Sequence, residues 1–322
     1  MRSVVAGIIL SFWIGNTFGQ GSNERVLRHE VRLLIENDVF TSLLSDQYYS
    51  SGIYARYSRI QDSTRVGPKL LSIINHFELS QRIYTANEVD KVRISEMDRP
   101  YAGIISFKAG KSYFFRSSHA LEVQLELGWM GPKSFTGEIH EAWHQWLGLP
   151  DVNGWDTQVS DAPVINAHVR HGMQLLRTRD KNPKLDILLE SHLALGSVHN
   201  IIREQLIFRF GRTLPANLSG IFGNTLGGIR PRKKPAKAME AYIMYSPGVQ
   251  YTIYNGTLQG GLLSRSPSLF TKDPNRWVYH QKFGLLLRYG TFDFNFVVHV
   301  HKPETVGVTS HQYAGIELKQ RF

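Results

Sequence analysis

The stretch Leu121-Glu122-Val123-Gln124-Leu125-Glu126-Leu127-Gly128-Trp129 decides the fold. Every odd position is apolar and every even one is polar or glycine, the period-two pattern of a strand whose two faces meet different surroundings. Phe292-Asp293-Phe294-Asn295-Phe296 repeats it, as do Val31-Arg32-Leu33 and Leu185-Asp186-Ile187. At the end of the chain Ala314, Ile316, Leu318 and Phe322 alternate with Gly315, Glu317, Lys319 and Arg321. A soluble sandwich would also alternate. Here, however, the polar face carries full charges opposite aromatic and branched side chains, as expected when one face meets lipid and the other a wet lumen.

Segments of this kind fall at 28–37, 50–60, 74–84, 102–114, 118–129, 164–176, 184–197, 200–211, 238–252, 277–290, 292–301 and 310–322. They are twelve, an even number, each near the ~10 residues that a tilted membrane strand needs. The expected class is therefore all-β: a twelve-stranded antiparallel transmembrane β-barrel, with a short helix in a long extracellular connection. Tight links at 290–291 and 115–117 read as periplasmic turns, while the long links 130–163, 212–237 and 253–276 are expected to face outward.

Composition agrees. The 322 residues are 42% apolar with no cysteine, which removes disulfide scaffolds, zinc-thiolate sites and cysteine nucleophiles. The net charge of +10 invites a nucleic-acid partner, but the densest basic cluster, 230–237, holds two prolines and no interleaved aromatics, so no nucleic acid is expected. Arg2 followed by the apolar run 4–18 and the small and polar residues Gly19, Gln20, Gly21 and Ser22 reads as a signal peptide over 1–20. Residues 21–322 would then form a single outer-membrane barrel domain, a monomer or a weak dimer.

The helix lies in the connection 130–163. Ile139, Ala142, Trp143, Trp146 and Leu147 recur at helical spacing, and Gly148 and Pro150 stop the run. Such a stripe is expected to pack on something, with His140 and His144 at its border, where a half-desolvated imidazole suits a general base. The same residues spell His140-Glu141-Ala142-Trp143-His144, a pattern in which two histidines one turn apart bind zinc and the glutamate activates its water. Chance alone supplies roughly 0.02 to 0.03 such strings in a chain of this composition, and no third ligand follows at a recognisable spacing. Two further readings thus stand beside any barrel enzyme: a zinc metallohydrolase using His140, Glu141 and His144, and a non-enzymatic, porin-like barrel whose helix narrows the lumen.

Glu36-Asn37-Asp38, Tyr48-Tyr49-Ser50-Ser51-Gly52, Asp98-Arg99-Pro100-Tyr101-Ala102-Gly103, the helix with His144, and Gly154-Trp155-Asp156 together resemble the outer-membrane lipid A 3'-O-deacylases. The resemblance runs through most of the mature chain and is specific in the order and spacing of these motifs. It implies a twelve-stranded, calcium-dependent hydrolase that removes the 3' acyloxyacyl group from lipid A, the anchor of lipopolysaccharide, in the outer leaflet. Carried over position by position, it makes His144 the general base, Asp38 a calcium ligand, Asn37 a residue shaping the site, Ser50 a hydroxyl donor and Lys91 a cation for phosphate or oxyanion. Two departures stand out. His140 replaces a glutamine of some relatives, and Pro150 falls where some carry an acidic metal ligand, for which Asp151 might substitute. Bis-phosphorylated lipid A also suits a cationic protein.

Overall fold

A computed structural model describes residues 27–41, 47–62, 67–87, 93–178, 184–227 and 239–322. The expected signal peptide, the cluster 230–237 and Lys91 lie outside the described residues. The strands are β1 (His29–Asn37), β2 (Tyr48–Ile60), β3 (Leu70–Thr85), β4 (Ala102–Phe115), β5 (His119–Met130), β6 (Ala162–Arg177), β7 (Lys184–Gly196), β8 (His199–Arg212), β9 (Glu240–Asn255), β10 (Trp277–Tyr289), β11 (Phe292–His301) and β12 (His311–Arg321). Each pairs antiparallel with its sequence neighbour, and β1 pairs with β12, from Glu30 opposite Arg321 to Asn37 opposite Ala314, so the sheet closes into a barrel. No helix among the described residues is long and apolar enough to cross a membrane; the crossing is made by strands. The twelve expected strands are all present.

Parity sorts the two faces as the alternation requires. Along β5 the odd residues Val123, Leu125, Leu127 and Trp129 are exposed, while Glu126 is fully buried in the lumen. Glu126 accepts hydrogen bonds from Arg82, Ser106 Oγ (2.7 Å) and Asn166 Nδ2 (2.8 Å), and His168 Nε2 lies 2.9 Å from it. A buried carboxylate is tolerated only when its lone pairs are met in this way. Below this level Arg32 and Arg56 converge on Glu78, and a polar cavity of about 330 Å³ is lined by groups including Glu36, Arg170, Lys282 and Glu317.

One expectation fails. Strand direction puts the link 213–239 at the end of the barrel that carries both termini, so it is periplasmic and not outward. Its described part folds into the lumen as a floor. Phe222, Ala216 and Leu226 pack on the inward side chains Ile74, Phe114, Ala120, Leu188 and Ile207. Buried charges on the wall hold its backbone: Arg209 Nη2 donates to Leu214 O (3.0 Å), and Glu240 accepts from Leu214 N and Gly220 N (3.0 Å each). Hydropathy did not reveal this because the apolar wall residues that receive Phe222, from Ile74 to Leu188, are distant in sequence. The floor and the paired charges above it occupy much of the lumen among the described residues.

Replacing Glu240 with Ala removes the carboxylate that accepts from the Leu214 and Gly220 amides and lies 3.8 and 3.2 Å from the guanidinium groups of Arg209 and Arg288, which keep Asp186 and Asp293 as partners. The expected loss is about 1–3 kcal/mol of stability in denaturant titrations, the cost of buried donors left unmet, with conductance steps in planar bilayers that the parent lacks. A variant matching the parent in both measurements would show that the floor is held otherwise.

Candidate active site

Asn37, Asp38, Ser50 and the helix with His144 all lie toward the rim opposite the termini. Asn37 and Asp38 sit where β1 ends: Asn37 Oδ1 accepts from Val39 N (2.8 Å), starting a 3-10 turn at Asp38–Phe40, and the fully buried Asp38 accepts from Gln47 N through Oδ2 (2.7 Å). Asn and Asp favour such turns because their short side chains bond nearby backbone amides. Ser50 lies beside them, since Asn37 is opposite Ser51. The ladder between β2 and β3 steps from Tyr49–Tyr84 to Ser51–Ile83, so Ser50 is the extra residue of a β-bulge, and it is buried. Bulges re-aim side chains at such places; Tyr49 on the same bulge donates its hydroxyl to Glu36.

One row crosses the outer wall at this level: Asn37, Ser51, Ile83 and Gly103 are successive ladder partners. Each shares parity with lipid-facing residues of its own strand, Gly103 with Ile105 and Phe107. The helix α1 (Thr136–Leu147) begins against the last of them. A Cβ on Gly103 would lie 2.4 Å from Thr136 Cβ, so only glycine lets the helix approach. The helix packs across the outer ends of β3 and β4 and ends at Gly148, whose positive φ of 66° allows Leu149 N to bond His144 O (2.9 Å).

The buried residues of α1 are Thr136, Gly137, His140 and His144. This corrects the expected packing: the apolar stripe does not face the protein, and the two histidines do. Nor does α1 narrow the lumen, for it rests on the outside of the wall. His140 stands edge-on to His144 (4.5 Å between ring centroids) and to Trp155 (5.8 Å); Trp155 in turn packs on Tyr101, with Val152 and Ile83 in the same cluster. His144 Nδ1 lies 2.7 Å from the carbonyl oxygen of Pro150. Since a carbonyl can only accept, Nδ1 carries a proton, and in the neutral ring Nε2 is then the basic nitrogen, the tautomer a base needs. The Trp155 indole N–H is buried with no partner among the described residues.

The 98–103 motif builds the frame. Asp98 accepts from Tyr48 Oη (2.7 Å) and Asn87 N (3.0 Å). Arg99, fully buried, donates to Glu304 and to Thr257 Oγ1 (3.1 Å), with its guanidinium 5.1 Å from the centre of the Tyr84 ring. Its carboxylate partner thus comes from the link between β11 and β12 rather than from the lumen wall. A Cβ on Gly154 would meet the Tyr101 ring at 2.1 Å. Sequence reasoning missed the seat at Gly103, although a glycine in the lipid-facing register just below the rim is the signal that something lies against it.

The oxygen-rich set Asn37, Asp38 and Ser50 suits a hard cation. Among the described residues no group of three or more His, Cys, Asp or Glu is gathered to hold a metal ion. Asp151 is exposed in the segment after α1.

The family model of outer membrane protein LpxR matches residues 6–322. The chain belongs to the LpxR family. Its location is accordingly the outer membrane. Among solved structures, LpxR from Salmonella typhimurium superposes with a TM-score of 0.73 at 15% identity, covering 91% of this chain and 100% of that one, a likeness of fold. The beta domain of the Bordetella autotransporter Brka gives 0.49 at 10% identity over 92% of this chain and 100% of its own. No curated protein matches the sequence.

Substituting Val for Gly103 should lever α1 from the wall. Limited proteolysis is expected to cut within 136–147 at least tenfold faster, while the barrel keeps its heat-modifiable mobility in electrophoresis; unchanged cleavage would mean that α1 is held without this contact.

Proposed function

We propose that this LpxR-family protein is a lipid A 3'-O-deacylase acting at the outer leaflet. The observation that carries the reading is the orientation of His144: its Nδ1 proton is committed to the Pro150 carbonyl, so Nε2 can accept a proton. The imidazole sits on the outer wall, where a lipid can reach it without leaving the leaflet. Nε2 takes a proton from water as the oxygen attacks the carbonyl carbon of the 3' ester. Collapse of the tetrahedral intermediate breaks the bond to the sugar oxygen, which recovers the proton from the imidazolium, leaving a free acyloxyacyl acid and a 3' hydroxyl.

In this reading Asp38 is the principal carboxylate for calcium, with Asn37 and Ser50 shaping the oxygen set and Asp151 as a second carboxylate from the segment after α1. Bound there, calcium would supply positive charge that polarises the ester carbonyl. Ser50 donates its hydroxyl toward the same oxygen, and Lys91 steadies a phosphate or the developing oxyanion. Belonging to the LpxR family supports an enzyme of this kind, and the oxygen donors favour calcium over the zinc alternative.

Mass spectrometry of lipid A from expressing cells should show loss of the 3' acyloxyacyl group. His144→Ala should lower turnover by about 10²- to 10⁴-fold, the range for a lost general base. Unaltered lipid A masses with the intact protein correctly inserted would end the proposal. A separate assay addresses the metal: Asp38→Asn should abolish stimulation by added calcium after chelation, whereas full activity in excess chelator would remove calcium from the scheme.

A further inference from the structure

Helix α1 has three faces. Thr136, Gly137, His140 and His144 are buried on the wall. Ile139, Trp143 and Trp146 are 47%, 48% and 60% exposed, and at 3.6 residues per turn their mean direction lies about 110° round the axis from the buried set. Glu138, Glu141 and Gln145 lie about 120° round the other way. A helix lying across two strand ends with that distribution turns one flank toward the bilayer and the other toward water.

We propose that Ile139, Trp143 and Trp146 are seated in the hydrocarbon of the surrounding outer leaflet, so that the acyl chains of bulk lipid cover this flank. Continuity with the lipid-facing wall argues for that occupant. The seat of α1 at Gly103 is in register with Ile105 and Phe107; Ile105 is directly opposite Trp129 on β5, and all three are at least 40% exposed. Lys133 then marks the water boundary, its Nζ 5.3 Å from the Trp129 ring centre, as a snorkelling lysine does at the headgroup level. Between Lys133 and α1, Phe135 is 64% exposed and held at a positive φ of 53°, adding a further apolar side chain at the start of the same helix. Isolated apolar residues on a surface mean little, but two tryptophans in contact, their ring centroids 5.2 Å apart, with an isoleucine on one flank of an amphipathic helix form an interfacial anchor. The inference rests on the placement of α1 and not on the deacylase reading.

The chain has no cysteine, so single cysteines can be introduced without altering the background. Nitroxide labels on Trp143→Cys, Trp146→Cys, Glu138→Cys and Gln145→Cys would be measured in phosphatidylcholine vesicles for collision with oxygen and with a water-soluble nickel chelate. Positions 143 and 146 are expected to favour oxygen severalfold, and 138 and 145 the chelate. Chelate access at all four would place the helix in water and overturn the proposal; low access to both probes at 143 and 146 would mean that protein, such as a second copy, covers the flank, and would overturn it equally. A second arm uses the Trp143→Ser, Trp146→Ser double variant. Turnover of bilayer-embedded lipid A should fall tenfold or more, with detergent-dispersed substrate within twofold of the parent; an equal loss on both would assign the tryptophans to the reaction site instead. If no lipid A is turned over by any form, the nitroxide result still decides the inference.

Discussion

Hydrocarbon offers no hydrogen-bond partner to a peptide group, and that single constraint organises the molecule. The pairing of β1 with β12 leaves no open edge across the membrane, so each strand amide and carbonyl is met within the sheet. Closure then forces each strand to divide its side chains between lipid and lumen. The inward half can be charged only if every charge is paired, and this is what the Glu126 and Glu78 networks supply. The outward half is free to be apolar. Chemistry is thereby pushed to the rim, where strands end and backbone can bend.

At that rim the catalytic candidates are carried by elements of different rigidity. Asn37 and Asp38 continue directly from a strand fixed on both sides, and Ser50 occupies a bulge beside them. His144 rides on a helix that belongs to no sheet. What holds this helix is a steric fit at Gly103, an aromatic cluster of Tyr101 and Trp155, and the carbonyl of Pro150. Arg99 performs the complementary task, tying its own connection to two others through Glu304 and Thr257 while its guanidinium lies over the Tyr84 ring of β3.

The barrel was legible because alternation is a local signal that each strand repeats: Leu121 to Trp129 states its two environments without reference to any other segment. The helix was legible in extent for the same reason, with Gly148 and Pro150 as its stop. Its orientation was not. Reading an apolar stripe as a buried one assumes that water lies everywhere else, and beside a bilayer that assumption fails, so Trp143 and Trp146 stay outside while His140 and His144 turn in. The floor was illegible for another reason. Residues 213–227 mix glycine, proline and polar residues with scattered apolar ones, without a strand or helix period, and only partners such as Glu240 and Phe114 distinguish a filled lumen from a solvated link. At Ser50 the even parity shared with Arg56 survives, but the bulge that brings Tyr49 to the same side depends on the register with Tyr84, which no single strand encodes.

The inward-folded segment around Phe222 has a consequence for the cell that houses it. An envelope protein made in many copies ordinarily trades abundance against leakiness, since each cylinder is a candidate route for antibiotics and bile salts. Here the base is stoppered by the chain's own turn, clamped by paired charges. Each copy thus brings its own floor into the membrane.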